Sequence, residues 1–454
     1  MFLVCLLNWY FSKFHLSYFI EFSAMTAMAL KDKAADLDKK FKDITRRDRF
    51  LIPKLNGKDT TYLCGNSLGL QPKQTRKYVE AELSKWSEQA VEGHFKEPNP
   101  WLYNHRQFTK YAAELVGALP EEVVIMNTLT VNLHLAMVSF YRPTKNKYKI
   151  IMEAGAFPSD QYAIESQVDF HATKGGEHIF EPKHAIIEAA PRKGEELLRT
   201  EDIISLIHTH KDELALVLLG GVNYYSGQYY DIAEITKAAH QVGAMAGFDL
   251  AHAAGNLPLH LHQRQVDFAV WCNYKYVNGG PGAPSGFFVH QNHFSDRELP
   301  RFAGWWGHDE TSRFKMEKGF KPMYGAEGWQ LSNAPILAMA GLKAPLEIFH
   351  EVGIDTLRQK SIELTVYLEG LIQAINLEKG KEIIKCITPK NPEERGCQLS
   401  LVVPGYGKNL FEAISSDGVI CDWREPSVIR IAPVPLYNTF NDVYDFYEIL
   451  KRHL

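Results

Sequence analysis

The sequence is short of the features that mark several large classes of protein. It has only six cysteines among 454 residues, and they are widely scattered, with no CxxC pair or other metal-binding spacing. The small number of cysteines argues against a fold held together by disulfides and predicts a reducing compartment, by default the cytoplasm. Because the cysteines have no metal-binding spacing, no metal is expected. Charges of the two signs are nearly balanced, 50 Lys and Arg against 54 Asp and Glu, and they form no basic block. Nucleic acid is therefore not an expected partner.

The chain also lacks a long uninterrupted hydrophobic run. Its N-terminal stretch is rich in Phe, Leu and Tyr, but Lys13 and His15 interrupt it, whereas a membrane span needs about 20 apolar residues. No basic cluster precedes the apolar part, as a secretory signal requires, and no membrane association is expected. Three interpretations of residues 1–24 stay open: an upstream extension with no folded role, a targeting segment or an ordered arm. We predict that residues 1–29 form an extension that is disordered or not translated. Met25 or Met28 could be the working start.

What the sequence does contain is a regular alternation of two patterns. Short runs of apolar, β-forming residues recur, and stretches with helical spacing, such as 159–170 and 232–241, separate them. The runs lie at 147–152, 214–219, 244–248, 268–272 and 286–290. This order predicts an α/β fold in which crossover helices flank a mostly parallel sheet, and ligands of such sheets bind at the carboxyl ends of the strands.

The alternation changes near Asn333-Ala334-Pro335. A long helical region follows, to about residue 377, and then a mixture of short strands and helices. We therefore predict a large domain over 76–335 and a smaller α+β domain over 336–454, with the N-terminal segment 30–75 contributing to the smaller one.

The most informative residues are Asp249 and Lys275, each at the end of one of these apolar runs. Pyridoxal phosphate (PLP) needs such a pair, because a carboxylate keeps its pyridine nitrogen protonated while a lysine holds its aldehyde as a Schiff base. Small residues at 279–282 allow the backbone to approach closely after Lys275. Alone, Asp249 could be a helix N-cap and Lys275 a solvated surface residue. Together they predict a PLP enzyme.

Eight short motifs, two of which contain this pair, occur in order from about Tyr62 onward. They are CGNSLG at 64–69, LTVNLH at 129–134, FPSD at 157–160, YYSGQ at 224–228, DLAH at 249–252, WCNYKY at 271–276, GWWGH at 304–308 and RIAP at 430–433. In these motifs the chain resembles kynureninase, a fold-type-I PLP enzyme that hydrolyses L-kynurenine to anthranilate and L-alanine. The resemblance implies that fold, that cofactor and that reaction, with 3-hydroxykynurenine as a second substrate, in tryptophan catabolism or NAD biosynthesis.

The resemblance also implies which residues bind the cofactor beside Asp249 and Lys275. Some would hold the phosphate, as Thr130 would at a helix start and Tyr274 through its hydroxyl, and others would face the ring, as Phe157 would by stacking. The full set is Leu129, Thr130, Phe157, Pro158, Ser159, Asp160, His252, Tyr274, Trp305 and Asn333. Helix capping and core packing are the alternative roles of these residues.

In the implied mechanism Lys275 removes the α proton of the substrate, Tyr274 takes part in proton transfer and Asp249 supports the electron-withdrawing ring. Arg430 is the candidate for the substrate carboxylate, because a guanidinium binds a carboxylate with two hydrogen bonds; a salt bridge on a strand surface is the alternative. Arg430 lies in the second domain, so domain closure would complete the site. The aryl end of the substrate would be met by His94, Trp305, Ser332 and Asn333.

Two further points concern assembly and a departure from the family pattern. In related enzymes the residues that match Trp305 and Asn333 reach across the subunit boundary. The resemblance therefore implies a homodimer with shared active sites, with the segment 30–75 at its interface. Gly220 stands where some members of the family carry serine, so a side-chain contact to the cofactor would be lost there and only the backbone would remain.

Three other interpretations stay open. A cysteine desulfurase of the same fold would need a mobile catalytic cysteine, whereas Cys397 lies in an apparent strand and Cys421 directly precedes Asp422. An aminotransferase would have to return from the pyridoxamine form with a keto acid. A non-catalytic protein of this fold is expected to lack Lys275 or Asp249, and both are present.

Overall fold

The structure is a computed structural model in which residues 26–174, 177–296 and 298–454 are described. The expectations for residues 1–25 lie outside these described residues. The first helix of the described residues begins at Ala27, so residues 27–29, which the sequence pattern assigned to the extension, belong to a helix. Thr26 caps this helix, because its Oγ1 accepts a hydrogen bond from Ala29 N–H (3.3 Å) and so satisfies one donor of the first turn.

Helices form where apolar positions recur at helical spacing and a suitable residue precedes them. Asp231, for example, caps a helix by accepting from Glu234 N–H at 3.1 Å. The α-helices are α1 (Ala27–Lys40), α2 (Thr75–Gln89), α3 (Arg106–Val116), α4 (Leu129–Phe140), α5 (Pro158–Ala172), α6 (Thr200–Thr209), α7 (Ile232–Gln241), α8 (Ile336–Val352), α9 (Ile354–Glu378), α10 (Gly407–Ser416) and α11 (Phe440–Arg452). Within the described ranges, none of them combines the length and the apolar character needed to cross a membrane.

The chain divides into two compact units by its internal contacts. The larger unit comprises Gln71–Tyr224 and Tyr229–Ile354; the smaller comprises the described residues up to Leu70 together with Tyr225–Gln228 and Asp355–Leu454. Helix α8, which the sequence pattern assigned to the small domain, packs against α2 and α3 in the larger unit. The division in the structure therefore falls after residue 354 and not after residue 335, because tertiary packing decides where α8 belongs.

The larger unit is built on a seven-stranded sheet. Its strands are β1 (Val123–Met126), β2 (Lys149–Glu153), β3 (Ile186–Ala189), β4 (Leu214–Gly220), β5 (Met245–Asp249), β6 (Phe268–Trp271) and β7 (Ser285–Val289). The spatial order is β1-β7-β6-β5-β4-β2-β3, and β7 runs antiparallel to both of its neighbours. The remaining pairs are parallel, so the predicted α/β fold with a mostly parallel sheet is confirmed.

The core of the larger unit lies on both faces of this sheet. Every residue of β1, β6 and β7 is buried, as expected for strands that helices cover on both sides. At Gly286 the packing is so close that a Cβ atom would lie 1.9 Å from the indole of Trp271. Glycine is required at that position for close approach across β6 and β7.

The smaller unit contains a four-stranded antiparallel sheet. Its strands are β8 (Lys385–Cys386), β9 (Leu399–Val402), β10 (Asp422–Arg424) and β11 (Val428–Ile431), in the order β8-β9-β11-β10. Helix α1 packs against α11, and its Leu30 is buried in the same core as Tyr367 of α9. Two-residue ladders pair Lys54–Leu55 with Lys58–Asp59, Thr61–Tyr62 with Val419–Ile420 and, in the larger unit, Thr173–Lys174 with Glu177–His178.

Candidate active site

The carboxyl ends of neighbouring parallel strands meet in the larger unit, and two of them carry acids. Glu153 ends β2 and Asp249 ends β5; between them β4 ends at Gly220, which pairs with Asp249 in the ladder. A pocket opens there. Its lining residues are Leu129, Thr130, Glu153, Phe157, Ser159, Asp160, Gly220, Val222, Tyr224, Asp249, Ala251, His252, Tyr274 and Lys275. The fold thus brings together most of the residues predicted to bind the cofactor.

Lys275 lies in the loop that follows β6. Asn273 holds this loop, since its side chain donates to the carbonyl of Pro284 (2.6 Å) and its own carbonyl accepts from Gly279 N–H (2.7 Å). Lys275 Nζ lies 2.9 Å from His252 Nε2. A hydrogen bond needs one donor and one acceptor, so one of these two nitrogens accepts a hydrogen bond from the other. The contact fixes the position of the lysine amine beside the imidazole.

Asp249 is buried, and its Oδ1 accepts a hydrogen bond from Ala251 N–H (2.7 Å). Burial raises the pKa of Asp249, while the Ala251 N–H, Lys275 and a hydrogen bond with Asp160 act in the opposite direction. Burial also raises the pKa of Asp160 well above its ordinary value, and the charges of Asp249 and Glu153 add to the rise. Asp160 is therefore the protonated partner that donates to the Asp249 carboxylate.

Glu153 contributes a third carboxyl group to the pocket. Both of its oxygens accept from the backbone N–H of Gly220, at 3.2 and 3.0 Å. Burial raises the pKa of Glu153 to about 7, and the charge of Asp249 adds to the rise. Sequence reasoning missed this residue. The available signal was that Glu153 ends an apolar strand in the same way as Asp249 does.

We call Glu153, Asp160 and Asp249 the acid cluster. The charges of this cluster show whether the pocket suits PLP. The buried Glu153 and Asp249 lie with the half-buried Asp160, the charge of Asp249 raises the pKa of the other two, and Lys275 supplies the single amine among the lining residues. A protonated ring nitrogen would relieve their repulsion, and the amine is the group that an aldehyde requires. The residues present therefore fit the cofactor.

Two helices begin among the pocket residues. Helix α4 starts at Leu129 and α5 at Pro158, whose missing N–H is not needed at the first position of a helix. Thr130 and Ser159 hold the second positions, and their hydroxyl oxygens lie 2.7 Å apart in a hydrogen bond. The free N–H groups of a first helical turn and the helix dipole both attract anions. Two helix starts with two hydroxyls fit a phosphate group.

Aromatic rings form another part of the pocket wall. Phe157 and Tyr224 meet edge to face, with ring centres 5.3 Å apart. Phe157 keeps 41% of its surface exposed, which argues against plain core packing and suits a ring that stacks on a flat ligand. Tyr224 belongs to one of the sequence motifs but was not predicted as a site residue. The two residues are far apart in the sequence, so only the tertiary structure brings their rings together.

Tyr274 presents a neutral hydroxyl to the same pocket. Burial raises the pKa of this hydroxyl, and a hydrogen bond with Cys272 adds to the rise. Burial also raises the pKa of the Cys272 thiol, so both groups keep their protons at neutral pH. Tyr274 can therefore donate a hydrogen bond or a proton, in agreement with either predicted role.

Other predicted site residues lie apart from those that line the pocket. The indole N–H of Trp305 donates to the carbonyl of Arg313 (3.2 Å). Ser332 and Asn333 are exposed and joined by a hydrogen bond of 3.0 Å. His94 is half-buried on a short 3-10 turn. The roles of these residues toward cofactor and substrate stay predictions.

Arg430 belongs to the smaller unit, where it is buried on β11. One guanidinium nitrogen lies 2.7 Å from Asp422 Oδ2 and 3.2 Å from Ser67 Oγ. Arg424 also pairs with Asp422, at 3.0 Å. A salt bridge is thus present, but it is buried and does not lie on a strand surface, where the alternative role placed it. Its role in binding the substrate carboxylate stays a prediction.

A second group of titratable side chains lies at the amino end of the parallel strands. Glu122, His262 and His290 place one carboxylate oxygen and two ring nitrogens within 4.8 Å of one another. His290 Nε2 donates to the His262 carbonyl (3.1 Å), and His290 Nδ1 accepts from Asn292 N–H (3.2 Å). A metal at Nε2 would move the proton to Nδ1, where it would oppose the Asn292 N–H. The hydrogen bonds of this group therefore favour a structural role over metal binding.

Comparison with known proteins identifies close relatives of the chain. The family model described as the kynureninase C-terminal domain matches residues 357–450. The kynureninase of Flavobacterium psychrophilum is 54% identical over 406 residues, which cover 89% of this chain and 94% of that protein. The kynureninase of Flavobacterium johnsoniae is 51% identical over 428 residues, 94% of this chain and 99% of that protein. For the kynureninase of Myxococcus xanthus the values are 53% over 408 residues, 90% and 93%.

Solved structures share the fold at much lower identity. The cysteine desulfurase of Thermococcus onnurineus NA1 superimposes with a TM-score of 0.69 at 17% identity, over 87% of this chain and 94% of that one. The cystine C-S lyase C-DES, in complex with its reaction product cysteine persulfide, gives 0.70 at 15%, over 86% and 97%. These likenesses concern the fold alone, and they confirm the predicted fold type. Because kynureninases more than 50% identical align over about nine-tenths of its length, the chain belongs to the kynureninase family.

Proposed function

We propose that this protein is a PLP-dependent hydrolase that cleaves L-kynurenine to anthranilate and L-alanine, and 3-hydroxykynurenine to 3-hydroxyanthranilate and L-alanine. The observation that carries the proposal is one pocket in which the Lys275 amine and the Asp249 carboxylate stand at neighbouring strand ends. Membership of the kynureninase family supports the reaction. Tryptophan catabolism or NAD biosynthesis is the metabolic context that these substrates and products suggest.

The residues of the pocket divide the binding of PLP among them. Lys275 binds the aldehyde, and Asp249, with Asp160 as its hydrogen-bond partner, pairs with the ring nitrogen. Phe157 packs on the ring. The phosphate is held by the first turns of α4 and α5 and by side-chain hydroxyls, through Leu129, Thr130, Pro158, Ser159 and Tyr274. His252 is tied to the site through its contact with the lysine.

When bound, PLP withdraws electrons from the α carbon of the substrate and so makes its proton removable. Asp249 sustains this effect by keeping a negative charge at the ring nitrogen. Lys275 Nζ takes the α proton, and His252 Nε2, 2.9 Å away, shares the charge that results.

Hydrolysis then needs a proton at a second carbon of the substrate. Water attacks the aryl ketone carbon, the bond from that carbon to Cβ breaks, and the ketone carbon leaves as the carboxylate of anthranilate. The neutral Tyr274 hydroxyl supplies the proton that Cβ takes up to become the methyl group of alanine. Arg430 binds the α carboxylate, and the aryl ring is met by His94, Trp305, Ser332 and Asn333.

We further propose a homodimer in which Trp305 and Asn333 of one chain serve the pocket of the other, with residues 30–75 at the interface. Both side chains are exposed, Trp305 by 46%, which leaves them available to a second copy. A cytoplasmic location agrees with the described cysteines, which form no disulfide with one another.

The cysteines also separate this proposal from a desulfurase. Such an enzyme requires an accessible thiol that ionises readily. In the described residues every cysteine is buried or half-buried, and burial raises the pKa of Cys64 to about 11 and the pKa of Cys421 further still. Among the cysteines that the structure describes, none is therefore a suitable nucleophile to match the likeness of fold to cysteine desulfurases.

The decisive experiment follows cofactor and reaction together. The absorbance spectrum of the purified protein is recorded before and after addition of L-kynurenine, while anthranilate is followed by its fluorescence. Lys275→Ala should lose both the absorbance band of the lysine-bound cofactor and the release of anthranilate. Lys237→Ala, the same change at an exposed lysine of the same unit, is the matched control and should behave as wild type.

Two results would contradict the proposal in different ways. A cofactor band that depends on Lys275 without any anthranilate would keep the cofactor and reject the reaction. Transamination and desulfuration of amino acids would then be assayed. The absence of a Lys275-dependent band would reject the cofactor assignment itself.

A further inference from the structure

Glu153 has no part in the proposed reaction, yet it lines the pocket and is buried among its charged groups. Its carboxyl oxygens accept the backbone N–H of Gly220, which ties the end of β2 to the end of β4. Strand β4 lies between β2 and β5, the strand that ends at Asp249. A single strand therefore separates Glu153 from the carboxylate that is proposed to face the ring nitrogen.

The lack of a side chain at Gly220 leaves room for the Glu153 carboxyl group. A Cβ atom on residue 220 would lie 2.8 Å from Glu153 Oε1, well inside van der Waals contact. Gly220 is not among the glycines with positive φ, so the position needs space and not an unusual backbone conformation. The residue at 220 and the placement of this carboxyl group are therefore linked.

The titratable groups that act on Glu153 are acidic. They are Asp249 on β5, Asp160 on α5 and the Tyr230 hydroxyl that follows β4. On the other side, the ladder partner of Glu153 on β3 is apolar. Lys275 acts instead on Asp160 and Asp249, and it lowers the pKa of both. Within the acid cluster, the charge is thus best placed on Asp249, which has the Ala251 N–H and Lys275 as partners.

We propose that Glu153 is a positioning residue of the pocket: buried beside acidic groups and held by the Gly220 N–H, it retains its proton in preference to Asp249 and so keeps the negative charge of the acid cluster on Asp249. This inference rests on the proposed function, which assigns the ring nitrogen to Asp249. Three ionised carboxylates in one buried pocket would repel one another, so the groups titrate as a coupled set. A protonated Glu153 relieves Asp249 of one negative neighbour while its oxygens still hold the Gly220 N–H.

The first test uses the full-length chain without cofactor, so that it does not depend on the proposed function. A carboxyl group whose pKa is higher in the folded than in the unfolded chain stabilises the fold at low pH, and this contribution is lost as the pH rises through the folded pKa. Burial raises the pKa of Glu153 from 4.5 to about 7. The melting temperature of the wild type should therefore fall, relative to Glu153→Gln, between about pH 4.5 and about pH 7.

Glu188→Gln is the control for this measurement. It makes the same change at an exposed position of the neighbouring strand β3. Its melting temperature should keep a constant difference from that of the wild type across the same pH range. A Glu153→Gln curve that also runs parallel to the wild type would overturn the proposal.

The second test uses the protein with PLP bound. Above pH 7 the wild-type pocket holds one negative charge that Glu153→Gln lacks, and this charge favours protonated forms of the cofactor. The midpoint of the pH titration of the cofactor's absorbance band should therefore lie lower in Glu153→Gln, by about one pH unit for charges in one buried pocket. A residue that only packs would leave this midpoint unchanged.

A pair of variants covers the case in which Glu153→Gln does not fold. Gly220→Ala should displace the carboxyl group and weaken PLP binding by about tenfold. Glu153→Asp withdraws the carboxyl group and makes room for the new methyl group. The double variant should therefore bind PLP more tightly than Gly220→Ala alone, since residues in contact do not act additively. Strictly additive losses would overturn the link between the two positions.

The outcomes also separate this inference from the proposed function. If Glu153→Gln removes the pH-dependent loss of stability but the protein binds no PLP, the protonated Glu153 stands and the proposed function fails. If PLP binds through Lys275 and neither pH profile changes in Glu153→Gln, the proposed function stands and the role of Glu153 is rejected.

Discussion

The two ends of the large sheet both carry buried carboxyl groups, but they surround them differently. At the amino end, Asp267 accepts hydrogen bonds from His240 Nε2 (2.8 Å), His293 Nε2 (2.7 Å) and the backbone N–H of Ala246 (2.7 Å). Burial alone would raise the pKa of Asp267, but the two histidines outweigh it and hold the pKa below its ordinary value. At the carboxyl end, the charge of Asp249 raises the pKa of Glu153 and of Asp160, its neighbours in the acid cluster.

The comparison teaches how to separate a structural acid from one that serves a ligand. The charge of Asp267 is already satisfied by donors of the chain itself, so nothing further is needed there. In the acid cluster the charge of Asp249 is met by one backbone N–H, by Asp160 and by Lys275, and a protonated ring nitrogen would add a further partner. Asp249 and Asp267 are alike in residue type and burial, and only their partners differ.

The largest expected effect comes from a substitution at the carboxyl end of the sheet. Asp249→Asn keeps the shape of the side chain but removes the charge proposed to support the ring nitrogen. We expect kcat for L-kynurenine to fall by about 10³-fold, the size seen when a preorganised electrostatic partner is lost, while the fold persists. Steady-state kinetics together with the far-ultraviolet circular dichroism spectrum measure the two quantities. A kcat within tenfold of wild type would place the essential charge elsewhere.

The matched change at the amino end should act on stability instead. Asp267→Asn leaves His240 and His293 without their anion, and breaking a buried pair costs about 3 kcal/mol of unfolding free energy. Because the amino end is remote from the pocket, kcat per folded molecule should stay near the wild-type value. Urea unfolding and active-site titration check these two expectations. If Asp267→Asn lost activity without losing stability, the conclusion that Asp267 has a structural role would be rejected.

A smaller effect concerns the phosphate. Thr130→Val removes a hydroxyl from the first turn of α4 and leaves its backbone N–H groups in place. The dissociation constant for PLP should rise by about tenfold, as expected for one hydrogen bond to a charged group. Thr209→Val, at an exposed position on α6, should leave it unchanged. Equilibrium titration of the cofactor-free protein with PLP measures both constants, and equal values for the two variants would remove Thr130 from the site.

The smallest effect depends on pH. The hydrogen bond to Asp267 raises the pKa of His240 above its ordinary value of 6.5, although burial opposes the rise. Stability from the charged imidazole is then fully present below pH 6.5 and is lost as the pH rises through the raised pKa. His240→Gln should cost about 0.5–1 kcal/mol at pH 6, a value reduced for partial exposure, and less at pH 9. Unfolding by urea at the two pH values tests this, and an equal cost at both would show that the charge is irrelevant.

The sequence pattern identified Asp249 at the carboxyl end of the sheet, but it did not identify Asp267 at the amino end. Asp249 and Lys275 were found because each ends an apolar strand, and the strand positions themselves agree with the structure to within a few residues. Glu153 ends a strand in the same way but was missed, because its importance depends on β2 lying next to β4, a neighbour that comes 61 residues later in the chain, from 153 to 214. The local sequence pattern does not predict which strands pair.

The pairing of Arg430 illustrates the same difficulty. Its residue type suits a substrate carboxylate, but whether Asp422 occupies it depends on the register of β10 with β11, which the local pattern does not reveal. The boundary between the two units was also displaced, since α8 has the same helical pattern as α9 but packs in the larger unit.

By itself the sequence determined the alternation of strands and helices, the two strand ends that carry Asp249 and Lys275, and membership of the family, because these depend on local periodicity and on short motifs. Only the tertiary structure decided the order of the strands, the acidic neighbours of Asp249, the contact of Lys275 with His252 and the hydrogen bonds that Asp267 accepts. The physical reason is that the charge state of a buried group is set by its neighbours in space, and those neighbours come from distant parts of the chain.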